Sequence, residues 1–108
     1  MKKVKTDLVF TRYLEKHPSF TGMLIDCNGD KFWFQKGEFH REDGPAIECA
    51  DGYKEWYHNG ELHREDGPAR EFPDGRKEWW IEDRLVTEEK HKNWVRRKKL
   101  EVFLDEDS

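Results

Sequence analysis

Residues 37–59 read GEFHREDGPAIECADGYKEWYHN, and residues 60–82 read GELHREDGPAREFPDGRKEWWIE. The two stretches agree at 15 of 23 positions without a gap. A fixed period of this length marks a repeat architecture, in which one supersecondary unit stacks on copies of itself. Shifting the frame back one period finds a degenerate copy at 14–36, where His17 aligns with His40, Gly29 with Gly52, Lys31 with Lys54 and Trp33 with Trp56. The HREDGPA heptad has there become residues 17–23, HPSFTGM. Going forward, the pattern fades after Leu85, which matches Leu62. Terminal copies are atypical because they close the stack. The expected organisation is therefore one domain over 1–108. It comprises an N-terminal cap at 1–13, a degenerate repeat at 14–36, and full repeats at 37–59 and 60–82. A C-terminal helix at 83–103 and an acidic tail at 104–108 complete it.

Each repeat carries two turn signals. Asp51-Gly52 and Asp74-Gly75, with Asn28-Gly29 in the degenerate copy, read as two-residue type I′ hairpin turns, in which Gly supplies positive φ. Asn59-Gly60 is a second signal of the same kind, weakened to Lys36-Gly37 and Asp83-Arg84 in the other copies. Between turns lie short strands, 46–49 and 53–58 in one copy and 69–72 and 76–81 in the next. Such spacing predicts a mainly β (α+β) fold, an antiparallel meander of hairpin repeats. Trp33, Trp56 and Trp79 share one repeat position, and Phe34, Tyr57 and Trp80 share the next. Neighbouring strand residues point to opposite faces, so each face should carry an aromatic row. Packing across strands accounts for such rows without a ligand. Pro45 and Pro68 belong in a turn or at a strand's first residue. His40 and Asp43, or His63 and Asp66, sit across that turn, where a short polar side chain can bond turn backbone.

Hydrophobic residues make up 34% and charged residues 41% of the 108-residue chain, which argues against a thick core. Aromatics at 14% argue against disorder, so a thin aromatic-rich layer is expected. No apolar run reaches membrane-spanning length, and the start MKKVKTD lacks the apolar core of a secretory signal. Cys27 and Cys49 form no CxxC pair, which points to reduced thiols in a cytoplasmic setting. The net charge of −4 is uneven. Residues 37–83 hold 14 acidic and 6 basic side chains, whereas 1–36 hold 7 basic and 4 acidic. An acidic repeat surface favours a basic partner and repels nucleic acid.

The ends differ from the middle. Thr87-Glu-Glu-Lys reads as a helix start with Thr87 as N-cap. The helix should run over 88–102, with His91, Trp94, Val95 and Val102 near one face as a cap over the sheet. Residues 6–16, with Leu8, Phe10, Tyr13 and Leu14 apolar, fit either a short helix or a strand.

The run W-Y-x-N-G-x-x-H-R-x-D-G-P-A, at residues 56–69, resembles a repeat common in small proteins of bacteriophages and large DNA viruses. That repeat is similar to a divergent MORN repeat. The resemblance covers roughly residues 14–85, and the ending LVTEE at 85–89 is similar to the way such arrays run into a helix. It implies a repetitive β-hairpin sheet, a phage or viral origin, an interaction platform and no enzymatic activity. Some MORN arrays bind lipids, but Gly and Tyr here depart from the usual MORN spacing. The resemblance supplies no functional residues to carry over.

The residues suggest no metal, cofactor or catalytic site. Histidines His17, His40 and His63 recur with the repeat, but equivalent residues lie roughly 9–10 Å apart, and zinc ligands sit about 2 Å from the ion. His40 with Asp43 in one turn supplies too few ligands. Cys49 aligns with Phe72 and Asp26, a packing position in the acidic half that gives no support to a thiolate. Two binding readings remain. In the first, the acidic turn residues Glu42, Asp43, Glu65 and Asp66 meet a host protein with a basic surface, for example as an inhibitor of a defence system. In the second, Lys92, Arg96, Arg97 and Lys99 beside Trp94 contact nucleic acid or a nucleotide. Open sheet edges also offer a route to homo-oligomers.

Overall fold

A computed structural model describes residues 8–107, with side chains over 12–100. It opens with helix α1 (Leu8–Lys16), followed by strands β1 (Gly22–Ile25), β2 (Lys31–Gln35) and β3 (Glu38–Phe39). The middle of the chain forms β4 (Ile47–Glu48), β5 (Lys54–Glu55), β6 (Tyr57–His58) and β7 (Glu61–Leu62). Strands β8 (Arg70–Glu71), β9 (Lys77–Ile81) and β10 (Arg84–Val86) precede helix α2 (Glu88–Asp107). The main sheet runs β1-β2-β4-β5-β8-β9-β10, every pair antiparallel, with β3 also on β2 and a separate β6–β7 pair. The expected meander of hairpin repeats with a C-terminal helix is thus the fold.

Two kinds of turn alternate. At 36/37, 59/60 and 82/83 both central residues have positive φ, between 48° and 84°. This is the type I′ geometry that matches strand twist. The third of these turns is Glu82-Asp83, one residue before the Asp83-Arg84 expected from sequence. The reason is register: Glu82 and Asp83 stand 23 residues after Asn59 and Gly60, and Arg84 already pairs with Ile81. Consequently 84–86 is a strand, not the start of the helix placed over 83–103. The Asp-Gly turns are also different from expectation. Only Gly29, Gly52 and Gly75 have positive φ there. Gly52 N–H donates to Cys49 O at 3.0 Å and Cys49 N–H to Tyr53 O at 2.9 Å. That is a three-residue connection with its glycine in the left-handed region. Asp51 Oδ1 accepts the Tyr53 amide at 3.0 Å and fixes the bend.

The strand expected over 53–58 divides at Trp56. Trp56 N–H donates to Ala69 O at 2.8 Å, and His63 N–H donates to Trp56 O at 3.1 Å. The same two bonds join Trp33 to Ala46 (2.8 Å) and His40 (3.1 Å). Between these anchors the segment HREDGPA leaves the sheet and returns to the same edge. Each full repeat is therefore a hairpin carrying a loop over its neighbour's tryptophan.

In the degenerate copy that loop is missing. Lys36 N–H donates to Thr21 Oγ1 at 2.9 Å, and Gly37 N–H to Phe20 O at 2.9 Å. These are the roles of His40 and Phe39 in the next copy, where Asn59 N–H donates to His40 Nδ1 at 2.8 Å and Gly60 N–H to Phe39 O at 2.9 Å. Thr21, not His17, is therefore the structural counterpart of His40. His17 instead sits at the end of α1, its Nδ1 bonded to Tyr13 O at 2.9 Å. The gapless alignment failed there because four residues of loop are absent. Residues 8–16 are helical; Thr6, Asp7 and the rest of 1–7 lie outside the described residues, as do the side chains of Leu8, Phe10 and Val102 and the final Ser108.

The two aromatic rows separate as their alternation requires. On one face Phe34 and Phe39 stack at 4.9 Å and Phe39 meets Tyr57 at 5.1 Å. Phe32, Phe34 and Ile47 are buried there beneath Leu14, Phe20, Leu24 and Cys49. Further along the same face the apolar positions become charged: Phe32 is replaced by Glu55 and Glu78, and Ile47 by Arg70. Arg70 Nε donates to Glu55 at 3.0 Å and its Nη1 to Glu78 at 3.2 Å, while Tyr53 Oη donates to Glu55. Burial pushes the Tyr53 and Tyr57 hydroxyls well above the ordinary value of 10.0, and the Glu55 carboxylate adds to it. Burial is the largest single effect on Arg70 and works against its charge, but Glu55, Tyr53 and Glu78 together outweigh it and the net shift is upward. The molecule is a slab 51 × 33 × 19 Å, as its low apolar content requires.

Candidate functional site

The other face carries the tryptophans and is corrugated. The Arg41 guanidinium lies 3.8 Å above the Trp33 ring, and Arg64 lies 3.9 Å above Trp56. Arg64 Nε donates to Asp66 at 2.8 Å, and its Nη1 donates to Pro68 O at 3.1 Å and Glu71 at 3.3 Å. Arg41 repeats the pattern with Asp43 (3.0 Å), Pro45 O (3.2 Å) and Glu48 (3.5 Å). One planar cation thus stacks on an aromatic and bonds three acceptors, a combination suited to arginine and not lysine. The glycine of the motif leaves room for the same contact, which a side chain there would crowd. A Cβ on Gly67 would stand 2.9 Å from Arg64 Cζ, and one on Gly44 would stand 3.1 Å from Arg41 Cζ. Arg64 holds the Asp66 carboxyl below its ordinary value, by hydrogen bond and by charge, against an opposing effect of burial.

The clamped loops wall off a row of grooves, each lined by one tryptophan. The first lies between Met23 and Arg41, with Trp33. The second, about 670 Å³, lies between the two loops, with Trp56, His58 and His63. The third, about 590 Å³, lies between the second loop and α2, with Trp79. All four acidic residues singled out from sequence, Glu42, Asp43, Glu65 and Asp66, line the second groove. They are not equivalent there. Asp43 and Asp66 each bond the arginine of their own loop. Glu42 accepts from His40 Nε2 at 2.6 Å, with its side chain 77% exposed, and Glu65 stands 3.5 Å from His63 Nε2 with 57% exposed. All four carboxylates are therefore open to a partner; Asp43 and Asp66 are at least as exposed as the glutamates but already carry an arginine.

The histidines are turn caps. His40 is buried, and its Nδ1 accepts the Asn59 amide. His63 Nδ1 accepts the Glu82 amide at 3.0 Å. Each reaches the type I′ turn of the following hairpin, not its own turn as expected from sequence. The structure adds His58, which sequence reasoning passed over: it stands between them, its ring 4.7 Å from His40 and 6.5 Å from His63. His40, Glu42 and His58 bring ligand atoms within 4.8 Å of one another. Hydrogen bonding nevertheless assigns that geometry to capping. An amide proton occupies His40 Nδ1, so the neutral ring carries its own proton on Nε2, directed at Glu42. A cation at Nε2 would have to displace that proton from a ring whose other nitrogen is already engaged.

Of the basic residues expected to meet nucleic acid, Lys92, Arg96 and Lys99 line the third groove, joined by Lys77 from β9. Arg97 does not line it. Helix α2 starts as expected, with Thr87 Oγ1 accepting the Lys90 amide at 3.1 Å. It docks on the second loop: buried His91 bonds Arg64 O at 2.5 Å, and Trp94 meets His63 edge-on at 5.4 Å. Cys49 packs against the apolar cluster, and no disulfide is present among the described residues. No helix among those residues is long and apolar enough to cross a membrane. No protein-family model, curated protein or solved structure matches this chain.

Proposed function

We propose that this protein is a non-enzymatic interaction module whose second groove receives a basic segment of another protein. One observation carries the reading: the groove between two rigidly clamped loops gathers Glu42, Asp43, Glu65 and Asp66 on its walls. Arg41 and Arg64 offset two of the four charges, which leaves the groove net negative. A lysine or arginine side chain of a partner matches its charge and its aromatic and histidine lining. The viral look of the repeats makes an inhibitor of a host defence protein the specific form we favour, with carboxylates occupying a surface that otherwise takes nucleic-acid phosphates. The cytosol of the host is the compartment this reading implies.

Affinity capture from host lysate tests it with Glu42→Lys/Glu65→Lys beside the unaltered protein. Both substituted side chains are exposed, and both loop arginines keep their aspartates. Basic host proteins should be retained by the unaltered chain and lost by the variant, with retention weakening as salt rises. Equal capture by the two would remove the acidic groove from the account.

A further inference from the structure

The third groove differs from its neighbours in a way that names a different ligand. Trp33 and Trp56 are each covered by an arginine, but the chain places Thr87 at the position 23 residues after Arg64. Among the described residues no guanidinium or ammonium stacks on Trp79, whose indole lines the groove beside Val95. The surrounding charge has also changed sign. Lys77, Lys92, Arg96 and Lys99 line it. Three carboxylates face these four cations, and each has a neighbour: Glu88 pairs with Lys92 at 3.8 Å, Asp66 on the opposite wall is bonded to Arg64, and Glu65 beside it stands 3.5 Å from His63 Nε2. Lys77, Arg96 and Lys99 have no carboxylate within ion-pair distance among the described residues.

We infer that this groove binds a nucleotide unit of single-stranded nucleic acid, its base against Trp79 and its phosphates on Lys77, Arg96 and Lys99. An aromatic floor with cations along one wall is the arrangement that single-strand binders use, because every base has a π face and every linkage a negative charge. A volume of about 590 Å³ suits one such unit. The groove lies across the second loop from the acidic one and shares Glu65 and Asp66 with it, but Trp79, Lys77, Arg96 and Lys99 line only the third, so this assignment stands without the proposed protein partner.

Fluorescence anisotropy of a short labelled oligothymidylate tests it. Binding should appear at low salt and weaken roughly sevenfold between about 50 and 200 mM, as the two phosphates flanking one unit require. Lys99→Glu and Lys77→Glu should each lower affinity about tenfold, whereas Arg97→Glu, off the groove, should lower it less than threefold. Trp79→Leu should lower it at least fivefold and Trp79→Phe should restore part of the loss. Should Trp79→Leu fail to fold, the two lysine variants decide alone, with circular dichroism confirming their fold. Thymidine monophosphate should compete weakly and the oligomer strongly. No binding at low salt, equal losses for Arg97→Glu and Lys99→Glu, or preference for a phosphotyrosyl peptide over the oligomer would each overturn the inference.

Discussion

The arginine of HREDGPA organises each loop, and it is the residue the sequence reading undervalued. By sequence alone the motif's acidic side chains read as groups displayed to a partner. The structure shows two of them bonded to Arg41 and Arg64. A signal was present: each arginine follows a tryptophan by eight residues, and the third tryptophan has Thr87 at that distance. What spacing cannot disclose is that the loop folds back over the neighbouring hairpin. Arg64→Ala should destabilise the protein by about 1–2 kcal/mol in urea unfolding, the sum of a cation–π stack and charge-assisted bonds. Arg64→Lys should recover less than half, because an ammonium cannot present the planar fork; full recovery would show that charge alone suffices. On the opposite face, Tyr53 and Tyr57 have hydroxyls raised above 10.0. The folded state therefore favours their neutral forms. Their contribution is complete below pH 10 and is lost as pH rises above it. Tyrosinate absorbance should show these two ionising only as the fold is lost, and ordinary titration with an intact circular dichroism spectrum would refute the burial argument.

At the level of elements, the hairpin period was legible because glycine and asparagine announce positive φ. Boundaries were less so. The final turn carries Glu82 and Asp83 at φ 48° and 69°; Asp83 is a weak turn signal, but Glu82 gives none by composition, which displaces the expected turn by one residue. Its geometry is imposed by neighbours: His63 takes the Glu82 amide, and Asp83 Oδ1 takes the Leu62 amide at 2.9 Å. A side chain with a Cβ is strained in this region. Glu82→Asn should therefore stabilise the protein by about 0.5–1 kcal/mol, since asparagine tolerates it better and the amide remains. A fall in melting temperature would mean that the Glu82 side chain has a stabilising role of its own. The missing loop of the degenerate copy was illegible for a related reason. A gapless comparison cannot see a deletion when one histidine, His17, happens to fall in frame. Helix α2 was foreseen from Thr87 and the acidic first turn. Its docking on the second loop through His91 was not, because that contact joins residues 27 positions apart.

For the whole molecule, repetition yields one groove per hairpin, and the chain varies the walls. The first is mainly apolar, the second acidic, and the third basic beneath α2. Composition foretold the acidic middle and the basic end. It could not foretell that loops stand up to make grooves of them, since that depends on strand pairing closing on both sides of each tryptophan. The slab leaves β1 and β10 as sheet edges, with Met23, Ile25 and Leu85 exposed. The account therefore offers three separable surfaces to a protein partner: the acidic groove, the sheet edges and the Tyr53–Arg70–Trp80 face. Amide hydrogen exchange on the protein, alone and with a partner recovered by capture, distinguishes them most directly. Slowed exchange is expected in residues 41–44 and 63–66, with β1 and β10 unchanged. Protection confined to the edges, or to the opposite face, would contradict it.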